Sequence, residues 1–243
     1  LLLALYLSFI SISQLLVSDS FTPFYFIFGS CLAVLMSIAL SGPILQFSNG
    51  IVFRGRPGIQ KKHNILIRAL FYLIPLILFL VYHLAYYPGA FSNDSISQLE
   101  QAITNRYNDW HPVIHTLFAF KLPLVLSRGR IDSIVLFQIL PFAGALGYCF
   151  DVCYEYVGKK FVFIAMTFIM GSPLTVNIAM FPLKDTSFAI GAVMLMAFSL
   201  QIVLSDGKWL NKLPNVTAFI VITVLTTLFR HNAILFTAPL LIA

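Results

Sequence analysis

Charge is what this chain has least of. Asp, Glu, Lys and Arg make up 10% of its 243 residues, where a soluble domain carries about 25%. That is too little to cover a globular surface. Meanwhile 59% of the residues are hydrophobic and the mean hydropathy is +0.91. Helices whose outer faces meet lipid suit this composition. Trp is nearly absent, with two residues against 24 Phe, a bias that also fits lipid-facing packing. There are only three cysteines, Cys31, Cys149 and Cys153. The last two lie four apart on one helix face, and no second ligand pair completes a zinc pattern. They read as small apolar residues. No internal repeat, low-complexity tract or basic n-region ahead of the first apolar run is present. The net charge is +6, yet no basic stripe with interleaved aromatics accompanies it, so nucleic acid is not an expected partner. Lys and Arg gathered in cytoplasmic loops account for the excess. The chain opens on three leucines and closes inside an apolar run, so both ends are expected to be cuts in a longer protein.

What is present is a series of apolar runs. A transmembrane helix needs about 20 such residues. Residues 1–17 and 24–47 supply two spans. A basic loop with Arg54, Arg56, Lys61, Lys62 and His63 follows, cytoplasmic by the positive-inside tendency. Further spans are expected at 65–87, 133–150, 161–176, 186–204 and 218–229, with a last run from Ala233. The expected fold is all-α, a polytopic transmembrane helix bundle of seven to eight spans with an outer juxtamembrane helix. Residues 1–64 form two N-terminal helices plus the basic loop, and residues 65–243 form a second transmembrane module.

Between the third and fourth spans the character changes. Residues 88–110 are polar and carry Asp94, Glu100, Arg106 and Asp109. A loop this long usually has a function. Residues 111–126 are apolar but contain Pro112, His115, Lys121 and Pro123. As a helix they reach only about 24 Å, against a hydrocarbon core of about 30 Å. A mid-span Lys121 would cost about 2.5–3.5 kcal/mol. The segment is therefore expected to lie along the outer interface. The choice rests on length and Lys121, not on charge counts. The interfacial topology puts nine Lys/Arg inside and six outside; the spanning one puts nine inside and five outside.

With that topology Asp94, Asp109 and His111 face outward, as do Lys184-Asp185 and Arg230-His231-Asn232. Ser95 and Thr186 are expected outside too, and Gly158 inside. Ionisable residues at such depths are costly and usually functional. Three polar clusters at one membrane boundary suit chemistry on a lipid-borne phosphate. A carboxylate can deprotonate an acceptor hydroxyl, and cations can hold a departing phosphate. The same residues have structural uses. Asp94 can cap the helix that follows it. His111 and His115 can hold a metal with Asp109, although Pro112 lies between them and no HExxH or third histidine is near. His83 suits a hydrogen-bonded core position. Asp185 can pair with Lys184 or Arg230, Arg230 can anchor an interface, and Glu100 and Arg106 can form a solvated helix face.

The segments YYPGAFSNDSISQLEQA, YNDWHPVIHTLF, FPLKDTSFA and LFRHNAIL, in that order, resemble the GT-C class of membrane glycosyltransferases, in particular a bacterial branch of it. The resemblance covers about residue 72 onward. It implies transfer of a sugar, in a hexosyltransferase-like reaction, from a polyprenyl-phosphate carrier on the outer face of the plasma membrane. The acceptor would be an envelope glycan, lipid or protein. It implies that Asp94 is the catalytic acid of the first outer loop, acting as general base. His111-Pro112-Val113 matches two of three positions of the His-Pro-Pro segment that opens a juxtamembrane helix in that class. Asp185 corresponds to a later outward Asp, and Arg230 with His231 and Asn232 to a basic residue before a small-residue turn. Arg230 and Lys184 are then the candidates for binding the donor phosphate. Asp185, Asp109, Trp110, His111, His231 and Asn232 are candidates for binding substrate. Val113 departs from the pattern, and no DxD pair is present, so neither a metal nor another cofactor is expected. A transporter or flippase of lipid-linked sugars would use similar cations. It would also need a polar path, whereas the spans after Ser133 carry few midplane charges and no paired broken helices are apparent. A non-catalytic membrane subunit would use the acids as caps.

Overall fold

Asn64 begins the first helix of the computed structural model, which describes residues 64–156 and 159–242. The expected spans at 1–17 and 24–47, the basic loop before residue 64, Cys31 and Gly158 lie outside the described residues. Within them all regular structure is helical: α1 (Ile65–Ala85), α2 (Asn93–Thr104), α3 (Val113–Leu126), α4 (Asp132–Tyr156), α5 (Lys159–Met170), α6 (Pro173–Met180), α7 (Lys184–Leu204), α8 (Leu213–Phe229) and α9 (Ile234–Ile242). Short 3₁₀ turns lie at Lys208–Asn211 and His231–Ala233.

Local chemistry sets several of these ends. Asn64 Oδ1 accepts the Leu66 N–H at 3.0 Å and starts α1. Ser92, not Asp94, caps α2, its hydroxyl accepting the Ser95 N–H at 3.3 Å. The alternative that Asp94 is the cap is thereby corrected. Asp94 sits inside the first turn, where a carboxylate suits the positive end of the helix dipole. Asn105 ends α2 in the left-handed region at φ 56°.

Aromatic and small residues set the packing. Phe79 stacks on Phe142 with centroids 5.2 Å apart, Phe71 meets Phe150, and Arg68 pairs with Asp151. Helices α1 and α4 are therefore antiparallel. Asp185 meets Arg230 and Phe198 meets Phe219, so α7 and α8 are antiparallel as well. Gln138 meets the backbone at 179–181, and Tyr148 meets Phe198, so α4 and α7 run the same way. One end of the bundle thus collects the end of α1, the starts of α4 and α7, the end of α8, and the connecting helices α2 and α3. Small residues let the helices approach. A Cβ on Gly147 would meet Tyr72, and one on Gly191 would collide with the Thr226 side chain.

Three helices, α1, α4 and α7, are long and apolar enough to cross a membrane, and a fourth crossing arises if α5 and α6 act as one. The described residues thus do not show seven or eight spans. Two of the expected spans lie outside them. The run at 161–176 is not one helix but two, bent by 63°, because Ser172 and Pro173 can open a helix but not continue one. Helix α8 has 17 residues, about 25 Å against a core of about 30 Å.

Helix α3 is continuous from Val113 to Leu126, with a π-helical stretch at Thr116–Lys121. It buries His115, Thr116, Phe120, Pro123 and Leu124, and exposes Leu117, Phe118, Leu122, Val125 and Leu126. Lys121 does not stand unpaired in an apolar face. Its ammonium donates to the Ala102 carbonyl at 2.9 Å, one of the last carbonyls of α2. Helix α2 is inverted for a soluble helix. It buries Ser95, Gln98 and Gln101 while Ile96 and Ile103 are exposed.

Replacing Gly191 by Val should destabilise the bundle by about 1–3 kcal/mol through overpacking against Thr226. Gly144→Ala, where an added Cβ meets nothing within 4 Å, should be neutral or slightly stabilising. Thermal unfolding of the detergent-solubilised protein checks both.

Candidate functional site

The link between α6 and α7 is the foundation of the site. Residues 181–183 leave the helical path within the bundle, so their backbone groups need partners away from water. Gln138 of α4 donates from Nε2 to the carbonyls of Ala179 at 3.0 Å and Phe181 at 3.1 Å. Thr186 Oγ1 donates to Ile178 O at 3.1 Å and Phe181 O at 3.0 Å. Ser95 of α2 donates to Pro182 O at 2.9 Å, and the Ala90 N–H to Met180 O at 3.1 Å. These bonds bury Ser95 and Thr186. The expectation that both are surface positions is corrected: a thiol at either would be shielded whichever way the protein faces.

Held this way, the first turn of α7 presents Lys184 and Asp185. Asp185 pairs with Arg230 at 3.1 Å, and the Arg230 guanidinium also lies 5.2 Å from the Phe188 ring centroid. Both members of the pair remain about half exposed, at 40% and 52%. Lys184 has no carboxylate partner among the described residues. Its ammonium lies 3.4 Å from His111 Nδ1. For this bond the ring must accept, so the neutral His111 carries its proton on Nε2. Burial pushes the His111 pKa down and the Lys184 charge pushes it further, while Asp94 pulls it back up and His231 lowers it. Asp94 adjoins Ser95, which meets Pro182 two residues before Lys184, and His231 adjoins Arg230, which pairs with Asp185.

The structure therefore gathers Asp94, His111, Lys184, Asp185, Arg230 and His231 at one end of the bundle. Asp94 is exposed; His111 is 1% exposed and lies beneath Lys184 rather than on a pocket wall. His231 and Asn232 are exposed on the turn after α8. Asp109 and Trp110 are not drawn into the group. Both sit on the exposed turn before α3, where the Trp110 N–H donates to Asn108 Oδ1 at 3.2 Å and its ring is 76% exposed. Beside Asp185 lies a cavity of about 230 Å³ lined by Asn177, Ile178, Phe181, Leu183, Asp185 and Thr186.

The pairing of His111 and His115 as metal ligands is not what their geometry serves. His115 is fully buried, with Nδ1 2.7 Å from Gln98 Oε1 and Nε2 3.0 Å from Ser187 Oγ. Among the described residues no group of three or more His, Cys, Asp or Glu is placed to hold a metal ion. His83, expected in a hydrogen-bonded core position, is buried, and its Nδ1 has no hydrogen-bond partner among the described residues. Sequence reasoning missed Gln98, Gln138 and Ser187 in this region. Their one signal was the cost of a polar side chain in an apolar setting.

Compared with known proteins, the chain matches no family model, no curated protein and no solved structure.

Burial pushes the His115 pKa from 6.5 to about 3, with the charge of Lys184 adding to the effect. Below the ordinary value the unfolded chain binds a proton that the native site refuses. Stability should therefore fall as pH drops from 6.5 towards 3, and be indifferent to this group above that window. His115→Gln should flatten the slope by up to about 1.4 kcal/mol per pH unit. Unfolding measured across pH on both proteins isolates the difference.

Proposed function

We propose that this chain is part of a membrane glycosyltransferase that moves a sugar from a polyprenyl-phosphate donor to an envelope acceptor. One observation carries the reading. An exposed carboxylate, Asp94, shares one end of an apolar helical bundle with the half-exposed Arg230 and with Lys184, whose ammonium has no acid partner among the described residues. That grouping supplies a base and cations, the two things that displacement of a phosphate from a sugar needs.

In the proposed reaction Asp94 takes the proton of an acceptor hydroxyl. The oxygen attacks the anomeric carbon as the bond from that carbon to the carrier phosphate breaks. The electron pair leaves with polyprenyl phosphate, whose charge Lys184 and Arg230 stabilise. No protonation of the leaving group is required. Asp185 orients Arg230, and His111 supports Lys184 from below. His231 and Asn232, exposed beside the group, are available to acceptor or sugar hydroxyls. Asp109 and Trp110 bind substrate in this scheme only if their turn closes over the site. The apolar cavity beside Asp185 and the exposed apolar faces of α3 suit the isoprenoid chain. Seven to eight spans, a plasma-membrane location and an outward-facing site belong to the same proposal.

One observation favours a second reading, a transporter or flippase of lipid-linked sugars. Contrary to the expectation of unbroken spans, α5 and α6 form a helix pair bent by 63°, and broken helices recur in transporters. A non-catalytic subunit gains no comparable support.

Asp94→Asn separates these readings. In membranes of the native host, with the full-length protein present, the substitution should abolish transfer from labelled polyprenyl-phosphate hexoses, a loss of about 10²–10⁴-fold for a general base. Equal transfer in both proteins would sink the assignment. For orientation, cysteines replacing Thr104 and Asn232, both exposed at the site end, should react with an impermeant reagent added outside once the three native cysteines are removed. A cysteine replacing Asp206, exposed at the end of α7, should not. The reverse pattern would turn the site inward.

A further inference from the structure

At the site, Ser95 of α2 meets the Pro182 carbonyl just before α7, a single bond about which the two helices can still pivot. Helix α2 belongs to the link after α1, and α7 begins 80 residues beyond its end. Yet Asp94 rides on the first turn of α2, and Lys184 and Asp185 ride on the first turn of α7. One turn beyond Asp94, on the buried face of α2, lies Gln98, which is completely buried. Within one turn of Lys184 lies Ser187. The only side chain among the described residues bonded to both is His115 of α3, at 2.7 Å and 3.0 Å.

We infer that His115 is a positioning residue, a neutral imidazole that gives α2 and α7 a second tie beside the Ser95–Pro182 bond and thereby sets the spacing between Asp94 and the Lys184–Asp185 turn.

The hydrogen-bond roles fix its form. Gln98 Oε1 accepts from Thr116 Oγ1 at 3.2 Å. The same oxygen faces His115 Nδ1, so Nδ1 carries the proton and donates. Nε2 is then bare and accepts from the Ser187 hydroxyl. Nδ1 faces α2 and Nε2 faces α7, where the Leu183 backbone also lies against the ring, and the ring is fully buried. Phe120 and Phe229 pack against it in T-shaped arrangements, with centroids 6.0 Å and 5.7 Å away. An imidazolium would leave a charge in an apolar shell, so neutrality is part of the design. Two bonds in opposite directions from a rigid five-membered ring transmit a distance as well as a contact. A flexible amide or hydroxyl would not. Gln98 and Ser187 are not bonded to each other, so coupling between them runs through the imidazole.

The consequence for activity rests on the transferase reading; the tie itself does not. The test therefore uses two measurements on the full-length protein. In nitrogen-15 spectra of histidine-labelled protein in nanodiscs, His115 should show a protonated Nδ1 and a bare Nε2 at neutral pH. Gln98→Met should move the first signal and Ser187→Ala the second. A proton on Nε2, or signals that neither substitution moves, would overturn the inference.

In the transfer assay His115→Phe should lower kcat by about ten- to a hundredfold, as expected for a displaced catalytic group. The donor KM should stay nearly unchanged, because Lys184 and Arg230 remain. Gln98→Met and Ser187→Ala should each cost less, combine less than multiplicatively, and cost nothing further once His115 is Phe. A loss confined to KM, or full additivity, would also overturn the inference. Where His115→Phe does not accumulate in the membrane, His115→Gln, which keeps a donor and an acceptor, carries the comparison and should be milder. Spectra that show the tie in a protein with no transfer from any donor would support the tie and sink the transferase reading.

Discussion

A chain that turns inside an apolar bundle must bring its own hydrogen-bond partners, because neither water nor lipid supplies them. In this protein that constraint is concentrated at residues 178–183, where α6 ends and α7 has not begun. Gln138, Thr186, Ser95 and the Ala90 N–H meet the carbonyls there. Everything at the candidate site hangs from this arrangement. It fixes the start of α7, which carries Lys184 and Asp185. It ties α2, which carries Asp94, against the same backbone. It also accounts for Ser95 and Thr186 being buried although the sequence places them beside exposed polar neighbours.

The charged groups then sort by what they touch. Arg230 is committed on two sides, to Asp185 and to Phe188, so its position is determined before any ligand arrives. Among the described residues the Lys184 ammonium meets a neutral imidazole and no carboxylate. At the start of α4 the fork of Arg130 closes on Asp132, from Nε at 3.1 Å and from Nη2 at 2.7 Å, and near the other end Arg68 meets Asp151. Paired cations fix the helix ends, whereas Lys184 has no acid partner among the described residues and lies at the same end of the bundle as Asp94.

Much of the fold was legible because it rests on length and hydropathy. Helices α1, α4 and α7 coincide with apolar runs of about 20 residues. The failures have local causes. Residues 161–176 carry enough apolar surface for a span, and that total concealed the break at Ser172-Pro173. Lys121 drew notice as too costly for mid-membrane. Its actual partner is a carbonyl 19 residues away on another helix, which no pattern in α3 reveals. The site was legible where a charge stood out in an apolar run, as with Lys184, Asp185 and Arg230. Gln98, Gln138 and Ser187 carry no charge, and their roles depend on partners 17 to 72 residues distant. Asp109 and Trp110 drew notice by chemistry and adjacency, yet their turn stays outside the group.

The turn at 178–183 also changes what a genetic screen of this protein would return. Gln138 never reaches the charged group, yet it holds the carbonyls on which that group is mounted. An inactivating change at such a position resembles one at a ligand contact when growth is the readout. A mutational map would therefore show a sensitive zone running down α4, well beyond any substrate. Read as a footprint, that zone would overstate the size of the ligand; it marks the extent of the mounting.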